Sequence, residues 1–225
     1  MDNRKPPEIN SEQHTLFIKN VSESSELVDR EKGLYKLSPK HKIYTVYIEG
    51  FREFKRGLHK VLHELRNASK NDILEFRINS GGGLVNEGQQ FYNLIEEKFH
   101  NRSVAFLDNH GYSMGALLFC MADRRVIYPY SDLMFHNYSG GAGGKGGEMK
   151  SRIKHKDKVL TDFFKKIVQD KGFLTKDEFN KMLIGQDYWM DAKEMCKRKI
   201  ATHVIYQGEM ISTKEYLKIL KKQGG

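Results

Sequence analysis

The sequence predicts an α/β fold, and three observations carry that expectation. Short runs rich in aliphatic and β-branched residues alternate with longer stretches whose apolar residues recur at spacings of three and four. Two successive strand-like runs each end in a glycine-rich turn followed by a helical pattern, at Ser80-Gly81-Gly82-Gly83 and at Gly111-Tyr112-Ser113-Met114-Gly115. At 225 residues the chain has the length of one domain with appendages, enough to close a single core.

Taken in order, the first ten residues are expected to be mobile and Thr15 to Lys19 to form a short strand before the polar stretch Asn20 to Glu31. Residues 1–39 therefore read as an N-terminal extension. The compact domain, residues 40–206, opens with the β-forming run Ile43 to Gly50. From Phe51 to Leu65, Phe54, Leu58, Val61, Leu62 and Leu65 mark one face of an amphipathic helix. Asp72 to Asn79 is the next strand, and Val85, Phe91, Leu94, Ile95 and Phe99 make the helical stripe after its glycines. A third strand, Val104 to Leu107, leads into the Ser113 turn and an apolar helix, Ala116 to Met121. Arg125 to Pro129 and Leu133 to His136 read as two more strands.

Asn137 to Gly147 is the most glycine-dense segment, either a flexible loop or an extended segment held by other backbone. Glu148 to about Gln169 is a helix of about six turns at ~5.4 Å each, with Ile153, Leu160, Phe163, Phe164, Ile167 and Val168 on one face. It either covers the sheet or projects toward a neighbouring subunit. Thr175 to Glu178 is a capping box for a short helix through Leu183, and Asp191 caps another. Ile200 to Ile205 is a strand, and residues 207–225 form a turn, a final helix from Ile211 and a basic tail.

A formal net charge of +9 suits solubility, an acidic partner or nucleic acid. The excess lies at Lys150 to Lys158, Cys196 to Lys199 and Lys218 to Lys222, without interleaved stacking aromatics, which favours solvated helix faces over a nucleic-acid surface. Two cysteines, Cys120 and Cys196, build neither a disulfide framework nor a metal site, and no apolar run has the length of a membrane span or a secretory signal. A cytoplasmic protein without metal or cofactor is the expectation.

The stretch around Ser113 carries the chemistry. A serine in a tight turn at a helix N-terminus is either the cap of that helix or a nucleophile beside unpaired N–H groups that can stabilise negative charge. The glycines at 81–83 match neither the dinucleotide fingerprint nor a phosphate-binding loop, so they serve close packing or point N–H groups at a substrate. Gly111-Tyr112-Ser113-Met114-Gly115 fits the elbow of the α/β-hydrolases, but the candidate base His136 follows by only 23 residues, before any candidate acid. His155 and His203 sit in a lysine-rich helix and a strand, and His110 is too near along the turn for a base, so it reads as a wall residue.

Four motifs in order resemble the ClpP family of self-compartmentalised serine peptidases over roughly residues 40–205. Ile78-Asn79-Ser80-Gly81-Gly82-Gly83 is similar to the family's Ile-Asn-Ser-Pro-Gly-Gly, and Tyr112-Ser113-Met114-Gly115 to its Ala-Ser-Met-Gly. Arg125 to Pro129 and Ser131 to His136 resemble the strand pair leading to its catalytic histidine. Asp187-Tyr188-Trp189-Met190-Asp191-Ala192 is similar to its Asp-Arg-x-Phe/Met-Ser-Ala segment.

The resemblance implies a ClpP/crotonase-like spiral of strand-strand-helix units with a protruding long helix. It implies a serine endopeptidase of the ATP-dependent Clp type, with Ser113 as nucleophile, His136 as base and Asp187 as its orienting acid. An oxyanion hole would come from the N–H groups of Gly83 and Met114, and substrate contacts from Gly82, Leu84, Asn137 and Tyr138. A polypeptide substrate, a homo-oligomer of one heptameric ring or a stacked pair, and a separate AAA+ unfoldase are implied, with the glycine-rich strand and the helix from Glu148 as ring-to-ring contact. Gly81 in place of proline, Asn137-Tyr138 in place of Gln-Pro, and the N-terminal extension depart from the pattern. Competing readings are an inactive structural subunit of such a ring, a crotonase-like acyl-CoA enzyme and a basic nucleic-acid-binding module.

Overall fold

The computed structural model of the chain describes residues 16–21, 25–29, 34–37, 41–50 and 58–224. The expectation of a mobile first ten residues, and residues 51–57 of the first predicted helix, lie outside the described residues.

Parallel pairing with helical connections builds the centre of the molecule, as the alternating pattern requires. Strand β1 (Leu16–Val21) pairs antiparallel with β4 (His41–Ile48), so the N-terminal extension contributes an edge strand, while β2 (Ser25–Asp29) and β3 (Leu34–Leu37) form a separate hairpin. β4 lies parallel to β5 (Ile73–Ser80), and β5 parallel to β6 (Ser103–Tyr112). β6 then serves two neighbours. Its first half, Val104 to Leu107, pairs parallel with β7 (Arg124–Ile127), and its second half, His110 to Tyr112, pairs parallel with β8 (Asp132–Phe135). β9 (Tyr188–Asp191) adds antiparallel to β8, and β10 (His203–Tyr206) with β11 (Glu209–Ser212) extends the sheet beyond β7.

The helices bury one face of this sheet. Tyr44, Val46, Ile48, Leu74, Phe76 and Ile78 alternate with half-buried neighbours and join Val61, Leu62 and Leu65 of α1 (Leu58–Arg66) and Phe91, Leu94 and Ile95 of α2 (Val85–Lys98) in one core cluster. All eight residues of α3 (Met114–Met121) are buried, so it is the apolar hub between α2 and β6. The opposite face of β5 and β6 is polar and half-buried. There Arg77 pairs with Asp108 at 2.7 Å, donates to the Tyr128 hydroxyl at 3.1 Å and lies over the Phe106 ring.

The long helix divides into two parts. α4 (Gly146–Phe164) is exposed at every position through Val159 except the half-buried Met149, with Ile153 52% and Val159 42% accessible, so it projects from the body. A π-helical turn, Lys165–Gln169, then brings Ile167 and Val168 into the core beside Phe164. The segment 136–145 before α4 has no strand pairing among the described residues, so the glycine-rich strand implied by the resemblance does not form there. Its glycines provide no side chains to pack, and only a second backbone would order them as a strand.

Capping patterns are realised as written in the sequence. Thr175 and Glu178 make the reciprocal cap of α5 (Lys176–Leu183), and Asp191 accepts the Glu194 N–H at 2.7 Å to cap α6 (Ala192–Lys197). The C-terminal segment differs from its reading: the chain forms the β10–β11 hairpin before α7 (Thr213–Lys222), whose Tyr216 is buried. Ile211 pairs with Val204 in that hairpin; the positive φ of Gln207 (51°) and Gly208 (87°) makes the tight turn.

Arg198 ties these late elements together. Its guanidinium donates to Glu178 at 2.8 and 2.9 Å, to Glu194 at 2.7 Å and to the Phe173 carbonyl at 3.3 Å, and holds the Glu178 carboxyl down to about 2. A depressed carboxyl stabilises the fold fully above its unfolded pKa of about 4.5, and that contribution is lost as pH falls toward about 2. Arg198→Met is expected to lower the thermal midpoint at pH 7 by about 5 °C, on the order of 2 kcal/mol. The deficit should shrink between about pH 4.5 and 2 in melts followed by circular dichroism, and a deficit constant across that range would refute the linkage.

Candidate active site

Ser113 closes β6 and opens α3. Its backbone sits at φ 56° and ψ −122°, a conformation that disfavours a side chain by about 1–3 kcal/mol and persists only where neighbours over-determine it. Two bonds do so here: the Ser113 N–H donates to the Met134 carbonyl at 3.0 Å, and the Ser113 carbonyl accepts from the Leu117 N–H at 3.1 Å. The hydroxyl makes no capping bond to α3, which removes the simpler role for a serine at a helix start. At the far end of α3 the Lys171 ammonium donates to the Cys120 carbonyl at 2.7 Å, and burial holds its pKa below the ordinary lysine value.

The glycine turn after β5 presses directly on this elbow. A Cβ on Gly82 would stand 2.6 Å from the Ser113 Cβ, 2.8 Å from the Tyr112 carbonyl oxygen and 3.1 Å from the Met114 nitrogen, and Gly82 has φ +96°. Only glycine lets the two backbones approach so closely. Gly82 N–H donates to the buried Ser80 hydroxyl at 3.1 Å, and a Cβ on Gly115 would meet the Ser80 carbonyl oxygen at 3.0 Å, so each turn is packed on the other. Gly83 follows at φ 140°, and Leu84 after it is 48% exposed.

Strand register brings the remaining residues to the same place. Tyr112 is paired with Met134, the end of the β6–β8 ladder, and Phe135 is paired with Tyr188, the end of the β8–β9 ladder. Ser113, His136 and Asp187 are therefore each the next residue beyond the last paired one, at the C-terminal ends of β6 and β8 and the N-terminal end of β9. Ser113 and His136 are half-buried, and Asp187 is exposed. Among the described residues no hydrogen bond joins the three side chains. Asp191 is committed to capping α6, which leaves Asp187 as the carboxylate at this end of β9.

Asn137 and Tyr138 anchor the segment after His136. The Asn137 amide donates to the Leu183 carbonyl at 2.7 Å, and the Tyr138 hydroxyl donates to Asp157 on α4 at 2.8 Å, which raises the Tyr138 pKa. His110 stacks beside Tyr112 with ring centroids 4.7 Å apart, a wall position on β6. A second serine–carboxylate contact, Ser103 to Asp123 at 2.5 Å, lies at the start of β6, about 30 Å along the strand from Ser113. It ties β6 to the turn before β7, since the Ser103 hydroxyl also accepts the Asp123 N–H.

Sequence reasoning missed one group at this site. Trp189 is 60% exposed and packs edge-to-face on Tyr112 at 5.1 Å, while the Tyr112 hydroxyl donates to Asp132 at 2.9 Å. No periodic signal in the sequence marked Trp189, because Tyr188 to Asp191 becomes a strand only by pairing with β8. Among the described residues no helix is long and apolar enough to cross a membrane. The family model for Clp protease matches residues 38–208. No curated protein matches the chain.

Proposed function

The chain belongs to the Clp protease family and is a serine-type peptidase acting on peptide substrates, and on that premise we propose that Ser113, His136 and Asp187 are its catalytic triad. One observation carries the assignment: the three residues lie one step beyond the paired ends of adjacent strands, at one end of the sheet. Ser113 Oγ attacks the scissile carbonyl carbon while His136 takes its proton, and Asp187 holds the imidazole in the tautomer that can accept it. The N–H groups of Gly83 and Met114 receive the oxyanion, supported by the contact of Gly82 with the Ser113–Met114 backbone. His136 then protonates the leaving amine, and the acyl group is released by water that His136 activates.

Substrate lies extended between Gly82 to Leu84 and the segment at Asn137 and Tyr138, held through its backbone, which gives broad sequence tolerance. Members of the family assemble into oligomeric rings. For this chain we propose a heptameric ring, single or stacked in pairs through α4 and the unpaired glycine segment, fed by a separate AAA+ unfoldase in the cytoplasm. The exposure of α4 through Val159 supports that role for the helix, and two free buried thiols, both pushed up to about 12, suit a reducing compartment.

The lack of a hydrogen bond among the triad side chains favours a second reading, a structural subunit whose triad is not aligned. Intact mass after treatment with a fluorophosphonate separates the two. A single adduct on the native protein, lost in Ser113→Ala and strongly reduced in His136→Ala and Asp187→Ala, is expected. No adduct in any oligomeric fraction means the structural subunit.

A further inference from the structure

We propose that the outward face of β8 and β9 is a subsite for an aromatic or large apolar side chain two to four residues on the C-terminal side of the scissile bond, with Trp189 as its platform. The inference rests on the triad reading above.

Strand alternation sets the face. Along β8 Leu133 and Phe135 are buried, so Asp132, Met134 and the following His136 share the other side; along β9 Met190 is buried, so Asp187, Trp189 and Asp191 share it. His136 and Asp187 therefore stand in the same rows as Trp189 and Met134, which are directly paired across the two strands. Tyr112, the residue before the nucleophile, completes the platform through its edge-to-face contact with the indole. Next to Trp189 lies a shallow cleft of about 440 Å³ whose lining includes Asp132, Asp191, Lys193, Glu194 and Lys197.

The carboxylates of that cleft are already engaged. Asp132 accepts the Tyr112 hydroxyl, Asp191 caps α6, and Glu194 binds Arg198 at 2.7 Å. Beside them stands the indole, 60% exposed and paired with the half-buried Met134. An exposed indole braced by a second ring, over committed carboxylates, recognises apolar or aromatic surface.

Direction and reach follow from the chemistry. His136 must protonate the leaving amine, so the leaving half of the substrate passes His136 and then crosses this face. At ~3.3 Å per extended residue, Trp189 lies ~7 Å and Asp191 ~13 Å along β9 from Asp187, the span of two to four substrate residues.

Trp189 is the only tryptophan of the chain, so its emission reports the site directly. Cleavage products of a mixed peptide library, sequenced by mass spectrometry, are expected to show about five- to tenfold enrichment of Phe, Tyr and Leu over Ser at the second to fourth positions after the cut. Trp189→Ala should bring that ratio close to one. In the uncleaving Ser113→Ala protein, a phenylalanine-containing decapeptide should shift Trp189 emission at concentrations where its serine counterpart does not. Unchanged enrichment in Trp189→Ala, no emission shift, or a change of assembled mass in Trp189→Ala each overturns the subsite, the last because a second copy then covers the face. Absence of fluorophosphonate labelling defeats the triad reading alone, since the emission titration in Ser113→Ala still decides the subsite.

Discussion

Replacing Ser113 with alanine is expected to lower kcat on a fluorogenic peptide by about four to six orders of magnitude, leaving the fold intact. The hydroxyl makes no capping bond, so its loss removes nothing that holds α3 in place. His136→Ala should cost nearly as much, and the double variant little more, because nucleophile and base act as one unit. Asp187→Asn should cost about 10⁴ through the wrong imidazole tautomer. Ser113→Gly adds a diagnostic. With φ 56° relieved of its side chain, that variant should melt at the native temperature or above it while remaining inactive. Measured kcat beside thermal midpoints tests all five, and peptidase activity persisting in folded Ser113→Ala would reject Ser113 as nucleophile.

Gly82→Ala is the second large effect. The new methyl would stand 2.6 Å from the Ser113 Cβ and 2.8 Å from the Tyr112 carbonyl, on a backbone at φ +96°. Either the glycine turn lifts away or the elbow moves, and both separate the Gly83 and Met114 N–H groups that would share the oxyanion. A fall of about 10²–10³ in kcat is expected, the scale of losing one oxyanion donor. Gly82 is buried, but it lies in a turn and not in a strand or helix, so far-ultraviolet circular dichroism should be retained. Gly81→Ala is the matched control: a Cβ there meets nothing within 4 Å, and its activity should stay within about twofold of the native value. Equal losses in the two variants would show that the turn matters only for general flexibility.

Much of this site was legible because its parts are local. Positive-φ turns favour glycine, a helix start advertises itself through Thr175 and Glu178 or through Asp191, and alternating burial in β4 and β5 writes itself as a period of two. Ser113, His136 and Asp187 could be proposed because the motifs that hold them resemble those of the family in the same order. β6 was harder. Its polar second half, Asp108 to His110, broke the apolar pattern at Leu107, yet the strand continues to Tyr112 because β8 supplies backbone partners there. β9 was invisible for the same reason: four residues with no periodic signature become a strand only by pairing with Asp132 to Phe135.

The sequence by itself thus determined the fold class, the positions of the two glycine turns and the helix caps, and it supplied the candidates for the reacting groups. All of these depend on contacts or conformations within a few residues. Only the tertiary structure decided that His136 and Asp187 fall in one row, that Gly82 rests on Ser113 and that Trp189 stacks on Tyr112. Strand register is set by which distant backbones pair, and a slip of one residue in either ladder would turn those side chains to the opposite face.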